Sequence, residues 1–260
     1  MKVLAIDTST NALSVSLWDE GLVASTLLQT KRQHGAMLAP VVDQLLKQAG
    51  WNANQLEEII VGVGPGSFTG LRIGVTFAKM WAVGKNIPVK VVSSLAIIAA
   101  TAQAISGKDL IIPVMDARRG TAYTSVYTLS EKGTLVEEVK DSHVEWDEWL
   151  SEVILPMLDS LDIERILIVG NQIDLFKESL QEKSEVEVIL LDGWQHYPHT
   201  EQAFLQASSL VKKVEDANTL APNYAHATLA EQQWAEKSNK DLENNEEENK
   251  AYVDITGLDE

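Results

Sequence analysis

Hydrophobic and polar positions along the chain repeat one order of elements twice. The first copy opens with an apolar run that ends at Asp7, followed by two alternating segments on either side of a turn at 19–21. The second copy opens with an apolar run that ends at Asp116, followed by two alternating segments on either side of a turn at 131–133. Alternation with a period of two predicts strands. Each copy therefore begins with a predicted antiparallel meander of three strands.

Helical and strand patterns then alternate in both copies. The first copy predicts helices over 35–50, 71–83 and 95–105 and strands over 57–64 and 89–92. The second predicts helices over 146–161, 174–181 and 200–214 and strands over 164–171 and 186–191. Strands joined through helices are parallel. This order indicates an α/β protein made of two tandem ribonuclease-H-like lobes, the actin, Hsp70 and sugar-kinase (ASKHA) architecture.

The pattern also predicts where the lobes begin and end. Small and polar residues at 106–108 separate the copies, so we predict an N-terminal lobe over 1–106 and a C-terminal lobe with an arm over 107–237. Residues 238–260 contain two lysines and eight acidic residues, and few apolar ones. That composition is typical of a disordered, solvated tail.

Composition and charge limit the classes of partner and site that we expect for this chain. The 260-residue chain has a formal net charge of -17 and a pI near 4.7, which repels phosphate backbones and anionic lipid. We therefore expect any nucleic acid to be bound mainly through a partner. The absence of cysteine excludes disulfides and thiolate metal sites. Neither a signal peptide nor an apolar run long enough for a membrane span is visible, so we expect a soluble cytoplasmic protein.

Two strand-end acids are candidates for a nucleotide site. In the predicted architecture nucleotide binds between the lobes, and Asp7 and Asp116 would hold its metal ion. The alternative is that each carboxylate caps its own turn. Arg118, in "DARRG", would hold an anion or a partner's carboxylate, or form an ion pair with Asp116.

A glycine-rich loop follows the fourth strand, in "GVGPGSFTGLRIG". It lacks the Lys of a Walker A loop, and its glycine spacing differs from the dinucleotide fingerprint. We interpret it as a turn at Pro65–Gly66, with Ser67 or Thr69 capping the next helix. Weak affinity of that helix N-terminus for anions stays open.

Two helices of the first lobe carry more apolar surface than one sheet covers. The helix after the loop has one apolar stripe at Leu71, Val75, Ala78 and Ala82 and a second at Ile73, Phe77, Met80 and Gly84. We predict that the surplus forms a protein interface; an ordinary helix buried under the second lobe is the alternative. The predicted interface residues are Met37, Leu38, Val41, Leu45, Ile73, Phe77, Met80 and Trp81.

Catalytic motifs are not evident in the sequence. His196 and His199 are separated by Pro198 and do not match a helical zinc pair, so we interpret them as loop histidines. The nucleophile elbow of serine hydrolases is also absent. We therefore assign no catalytic residue, no metal ligand and no cofactor of the chain's own.

Several motifs together resemble one family. "AIDTST", "GVGPGSFTGLRIG", "SSLAIIA", "DARRGTAY" and "APNYA" are similar to those of the TsaB (YeaZ) family. The resemblance implies a scaffold that takes part in placing threonylcarbamoyl on N6 of adenosine 37 in tRNAs reading ANN codons. It implies the catalytic paralogue TsaD and the ATPase TsaE as partners, with a homodimer of the chain itself as a further possibility. It also implies that tRNA is bound only through the complex, and that ATP or ADP binds at the surface shared with the partners.

The resemblance also bears on catalysis. TsaD carries a metal-binding H-x-x-x-H pair, and the equivalent positions here are Ser94 and Ile98, neither of which is a metal ligand. The chain therefore resembles the non-catalytic member. An ATPase or kinase that uses Asp7 and Asp116 with magnesium is the alternative. The arm "PNYAHATLAEQQW" and the acidic tail depart from the family pattern.

Overall fold

A computed structural model describes residues 1–30, 33–102, 104, 106–171, 173–191 and 193–225. The predicted acidic tail at 238–260 and the last part of the predicted C-terminal arm lie outside these residues. Among the described residues, no helix combines the length and apolar composition that crossing a bilayer requires.

The first sheet contains a meander followed by parallel strands, as predicted. Strands β1 and β2 and strands β2 and β3 pair antiparallel, whereas β1 pairs parallel with β4 and β4 with β5. The strands are β1 (Val3–Asp7), β2 (Ala12–Trp18), β3 (Leu22–Gln29), β4 (Glu58–Gly62) and β5 (Val89–Val92). The helices of this half are α1 (His34–Gln48), α2 (Phe68–Lys85) and α3 (Ser94–Thr101).

The second sheet repeats that order. Its strands are β6 (Asp109–Arg118), β7 (Thr121–Leu129), β8 (Leu135–Glu145), β9 (Arg165–Asn171) and β10 (Glu187–Leu191), arranged β10-β9-β6-β7-β8. Its helices are α4 (Trp146–Trp149), α5 (Leu155–Ser160), which a π-helical turn at Leu150–Ile154 joins to α4, and α6 (Asp174–Lys183). Two sheets of matching order confirm the fold predicted from the repeat.

Helix α3 lies in the core that both sheets share. All eight of its residues are buried, and the six apolar ones belong to one cluster with Ala5 and Ile60 of the first sheet and Ile111 and Leu167 of the second. A helix that is apolar on every side is expected to be buried all round. The short apolar run of α3 therefore joins the two halves.

The helix predicted over 200–214 is wrong. The structure has 3₁₀ segments at Thr200–Phe204 and Gln206–Leu210, and then β11 (Lys212–Lys213), which pairs antiparallel with β5 of the first sheet. Long-range contacts fix the segment: the backbone N–H of Thr200 donates to Ser14 Oγ at 3.0 Å, and the Phe204 ring stacks on Trp18 with centroids 4.7 Å apart. Tertiary contacts thus override local helix propensity.

Candidate functional site

Asp7, the first candidate metal ligand, is fully buried at the end of β1. Its Oδ1 accepts hydrogen bonds from the Ser9 N–H at 2.8 Å and the Ser9 hydroxyl at 2.6 Å, and its Oδ2 accepts one from the Ser94 hydroxyl at 2.6 Å. Burial raises the pKa of Asp7, although these hydrogen bonds oppose that shift. Both carboxylate oxygens therefore serve the protein's own turn and the start of α3.

Glycines around the loop allow other chain segments to approach very closely. A Cβ on Gly62 would collide with the Asp7 carboxylate, and a Cβ on Gly70 or Gly74 would collide with Thr8. The Thr8 hydroxyl also donates to the Gly70 carbonyl at 2.7 Å. The N-terminal turn of α2 thus packs directly on the β1–β2 turn.

The loop is held from both sides. The Ser67 N–H donates to the Ser9 carbonyl at 2.6 Å, and the Ser67 hydroxyl caps α2, so the capping prediction is confirmed for Ser67. On the opposite side, the Asn223 N–H donates to the Val63 carbonyl at 2.7 Å. The glycine content therefore has a structural explanation that requires no phosphate.

The second candidate turn, at the end of β6, is more exposed. Asp116 Oδ1 accepts a hydrogen bond from the backbone N–H of Arg118 at 2.8 Å. That bond caps the turn through the backbone of Arg118, and the Arg118 side chain is exposed. Arg118, Arg119 and Gly120 have φ angles of 74°, 56° and 78°, in the left-handed region. The proposed roles of Asp116 and Arg118 toward an anion stay predictions.

The positions equivalent to the metal pair of TsaD lie inside the protein. Ser94 and Ile98 are both fully buried, and the Ser94 hydroxyl is committed to Asp7. His199 makes its hydrogen bonds within its own loop, to the Trp194 carbonyl at 3.0 Å and to Glu201 at 3.3 Å. Within the described part of the chain, no three histidine or acidic side chains form a group that could hold a metal ion.

An apolar groove of about 510 Å³ lies between α1 and α2. Leu38 of α1 forms part of its floor, and Ile73, Phe77 and Met80 of α2 line it. Met80 is 63% exposed. We call this surface the docking groove; its lining residues are Gly35, Leu38, Ala39, Phe68, Thr69, Arg72, Ile73, Thr76, Phe77 and Met80.

Three α1 residues predicted at the interface lie in the lobe's own core, so little of the predicted surplus is exposed on this helix. Leu38, Val41 and Leu45 are 2%, 4% and 4% exposed and belong to the core that α1 forms with β1 and β2. Only Leu38 of these three reaches the docking groove. The lobe covers the apolar residues of α1 because they pack both on the first sheet and on α2, whose Ile73 and Phe77 belong to the same cluster.

The two stripes predicted for α2 are present. Its first stripe, Leu71, Val75, Ala78 and Ala82, is buried, as a helix covering a sheet requires. In its second stripe Ile73 and Phe77 are partly buried and Met80 is exposed. Trp81 and Met37 are partly buried against the lobe's own core, outside the docking groove. The predicted interface is thus concentrated on α2, and it stays a prediction.

Sequence reasoning missed two groove residues, Phe68 and Arg72, and the ring of Tyr224 that packs beside them. Phe68 is 45% exposed and stacks on Tyr224, with ring centroids 4.7 Å apart. The Arg72 guanidinium also lies over the Phe68 ring, 5.4 Å from its centroid. The i, i+4 spacing of Phe68 and Arg72 was a detectable signal, whereas the contact with Tyr224 joins segments that are far apart in the sequence.

The fold and this site define a class of protein. Two ribonuclease-H-like halves with a joining helix form the ASKHA-type architecture, and here the β1–β2 turn is packed against the glycine loop while an apolar groove lies between α1 and α2. The sequence profile of the family described as TsaD: tRNA N6-adenosine threonylcarbamoyltransferase matches residues 25–246.

Individual relatives are more specific. The tRNA threonylcarbamoyladenosine biosynthesis protein TsaB of Bacillus subtilis is 35% identical over 238 residues, which is 91% of this chain and 99% of that protein. Two solved structures from Pseudomonas aeruginosa also match, YeaZ and a protein described as similar to peptidase YEAZ. Their TM-scores are 0.68 and 0.71 and their identities 28% and 29%, and each match covers 86% of this chain and 99% of the other. Within the broader family of the profile, the chain belongs to the TsaB (YeaZ) family, as the resemblance predicted.

Proposed function

We propose that the chain is the non-catalytic activating subunit in the biosynthesis of threonylcarbamoyladenosine at position 37 of tRNAs reading ANN codons. Its relatives carry the name of that pathway. In this proposal it acts by forming a dimer with the catalytic paralogue TsaD, and the ATPase TsaE joins the complex.

The state of Asp7 is the observation that carries the non-catalytic role. A metal-bound nucleotide in this architecture needs a carboxylate with free oxygen lone pairs facing an open cleft. Asp7 instead accepts three hydrogen bonds from Ser9 and Ser94 and is fully buried, with Gly62 so near that a Cβ there would collide with the carboxylate. In this proposal ATP or ADP binds at the surface shared with partners rather than at Asp7.

The docking groove supports the choice of partner. A paralogue shares the fold, so it offers a matching pair of helices, and helices with exposed apolar stripes pack against each other. Met80 and Phe77 provide such a stripe on α2. A second copy of the chain would use the same groove, so a homodimer and the heterodimer would exclude each other.

The charge of the chain supports an indirect role for it in tRNA binding. A net charge of -17 opposes contact with a phosphate backbone. In this proposal tRNA is held mainly by the other subunits.

Reconstitution tests the proposal. The reaction contains the purified chain, TsaD, TsaE, the substrate tRNA, ATP and a threonylcarbamoyl donor derived from threonine. The modified adenosine is then measured by mass spectrometry of the nucleosides. We expect modification only when the chain is present, and a strong loss with Met80→Asp, because a charge replaces an apolar contact in the groove.

A matched control and one contrary outcome complete the design. Val136→Asp places the same charge at another exposed apolar position, 40% exposed on β8, and should leave modification intact. Hydrolysis of ATP by the isolated chain at an ordinary enzymic rate, abolished by Asp7→Asn, would instead favour the kinase or ATPase alternative.

A further inference from the structure

The segment 217–225, which we call the strap, returns from the second half of the chain to the first lobe. Leu220 is 5% exposed and packs in the apolar cluster that includes Ile59, Val75 and Val89. The Lys79 ammonium of α2 donates to the Asn218 carbonyl. The strap is thus fixed along α2 by both apolar and polar contacts.

The strap also contacts the glycine loop through Asn223, the residue before Tyr224. The Asn223 N–H donates to the Val63 carbonyl at 2.7 Å, and a Cβ on Gly64, whose φ is 108°, would collide with the Asn223 carbonyl. The backbone is therefore in close contact at this point. These contacts place the Tyr224 ring against Phe68, at the first turn of α2.

Three side chains then form one stack at the rim of the docking groove. Tyr224 lies on Phe68 with ring planes 26° apart, and the Arg72 guanidinium lies 5.4 Å from the Phe68 centroid. A guanidinium near an aromatic ring is attracted by the ring's quadrupole. Fixing the Phe68 ring therefore limits the positions that the long Arg72 side chain occupies.

Arg72 gives the groove a chemical preference. It is the one charged side chain among the described residues that line the groove, and the other lining residues are apolar or small and uncharged. On a chain with a net charge of -17, an exposed arginine beside an apolar groove is a local reversal of sign. The planar guanidinium binds a carboxylate through two parallel hydrogen bonds.

We propose that the strap positions this rim through Tyr224, so that Arg72 recognises a carboxylate placed beside an apolar helix of the docking partner. This inference rests on the proposed docking role of the groove. Tyr224 is a positioning residue, since it acts through Phe68, and Arg72 determines specificity.

The first test separates positioning from general stability. Affinity for the catalytic paralogue and the midpoint of thermal unfolding are measured for Tyr224→Ala, Tyr224→Phe and Phe204→Ala. We expect Tyr224→Ala to weaken binding about tenfold, because Phe68 and Arg72 of the groove are then no longer held in place. Tyr224→Phe keeps the ring and should restore binding. Phe204→Ala removes the comparable stack on Trp18, away from the groove, and should lower the unfolding midpoint without weakening binding.

The second test addresses the carboxylate. Arg72→Ala should weaken binding about tenfold at low salt, and the difference from wild type should shrink as salt screens the ion pair. Lys85→Ala removes a cation from the end of the same helix, where its ammonium contacts Asn54, and should change little.

The outcomes distinguish this inference from the proposed function. If Met80→Asp abolishes binding while Tyr224→Ala and Arg72→Ala bind like wild type, the role of the strap is overturned and the docking groove stands. An equal loss for Phe204→Ala and Tyr224→Ala also overturns it. If Met80→Asp binds like wild type, the docking role itself fails.

Discussion

Substituting aspartate at Leu45 and at Met80 should produce opposite effects, although both residues were predicted at the interface. Leu45 is 4% exposed in the core of the first lobe, and Met80 is 63% exposed on the rim of the docking groove. The same new charge is therefore buried within the chain in one variant and exposed in the other. The pair tests which helix presents apolar surface to a partner.

The magnitudes follow from burial. Leu45→Asp loses about 1.5–3 kcal/mol of side-chain burial and also buries a carboxyl group without a designed partner, so the total cost is on the order of 4 kcal/mol or more. At Met80 little more than a third of the side chain is covered, so the loss of burial is below about 1 kcal/mol. The lower helix propensity of Asp adds about 0.5 kcal/mol.

Two assays separate these effects. Urea unfolding gives the free energy of unfolding, and titration with the catalytic paralogue gives the affinity. We expect Leu45→Asp to be strongly destabilised and Met80→Asp to be close to wild type in stability but weak in binding. A stable Leu45→Asp variant that fails only in binding would refute the assignment of this face of α1 to the lobe's own core.

Two further predictions concern stability. Gly74→Ala should lower the free energy of unfolding by about 2 kcal/mol or more, because the new Cβ would collide with Thr8. Gly84 lies in open space on the same helix, so Gly84→Ala should raise the free energy of unfolding by up to about 1 kcal/mol. Equal effects of the two substitutions in urea unfolding would contradict the tight packing of α2 on the β1–β2 turn. Burial raises the pKa of Asp141 to about 6, so the folded state holds this proton more tightly than the unfolded state does. The contribution of this group to stability is therefore lost as pH rises from about 4 to about 6. The asparagine of the Asp141→Asn variant does not titrate, so the stability of this variant relative to wild type should grow by about 3 kcal/mol across that pH window and then stay level. A difference in thermal unfolding that is independent of pH would count against the burial of this carboxyl group.

Local sequence patterns were sufficient to predict most of the strands and the fold class. The period-two segments identified the meander in each half, and β5 has the predicted bounds of Val89–Val92. The repeat then indicated the architecture, because topology rules leave few ways to connect such elements. Ser67 was identified as a cap from its position before a helix.

The parts that failed depend on contacts between distant segments. Periodicity shows that the α1 residues are covered, but it does not show whether their own lobe or a partner covers them. The Asp7 carboxylate was visible at a strand end, but its partner Ser94 begins a helix at the end of the lobe. The same holds for Tyr224, whose contact with Phe68 joins the strap to α2.

Hydrogen–deuterium exchange of the chain with and without its catalytic paralogue tests docking through the groove most directly. We expect the backbone amides of α2 and of the first turn of α1 to become protected in the complex, while those of α6 in the second lobe exchange as in the free chain. Unchanged exchange in α2, with protection confined to the second lobe, would contradict the account.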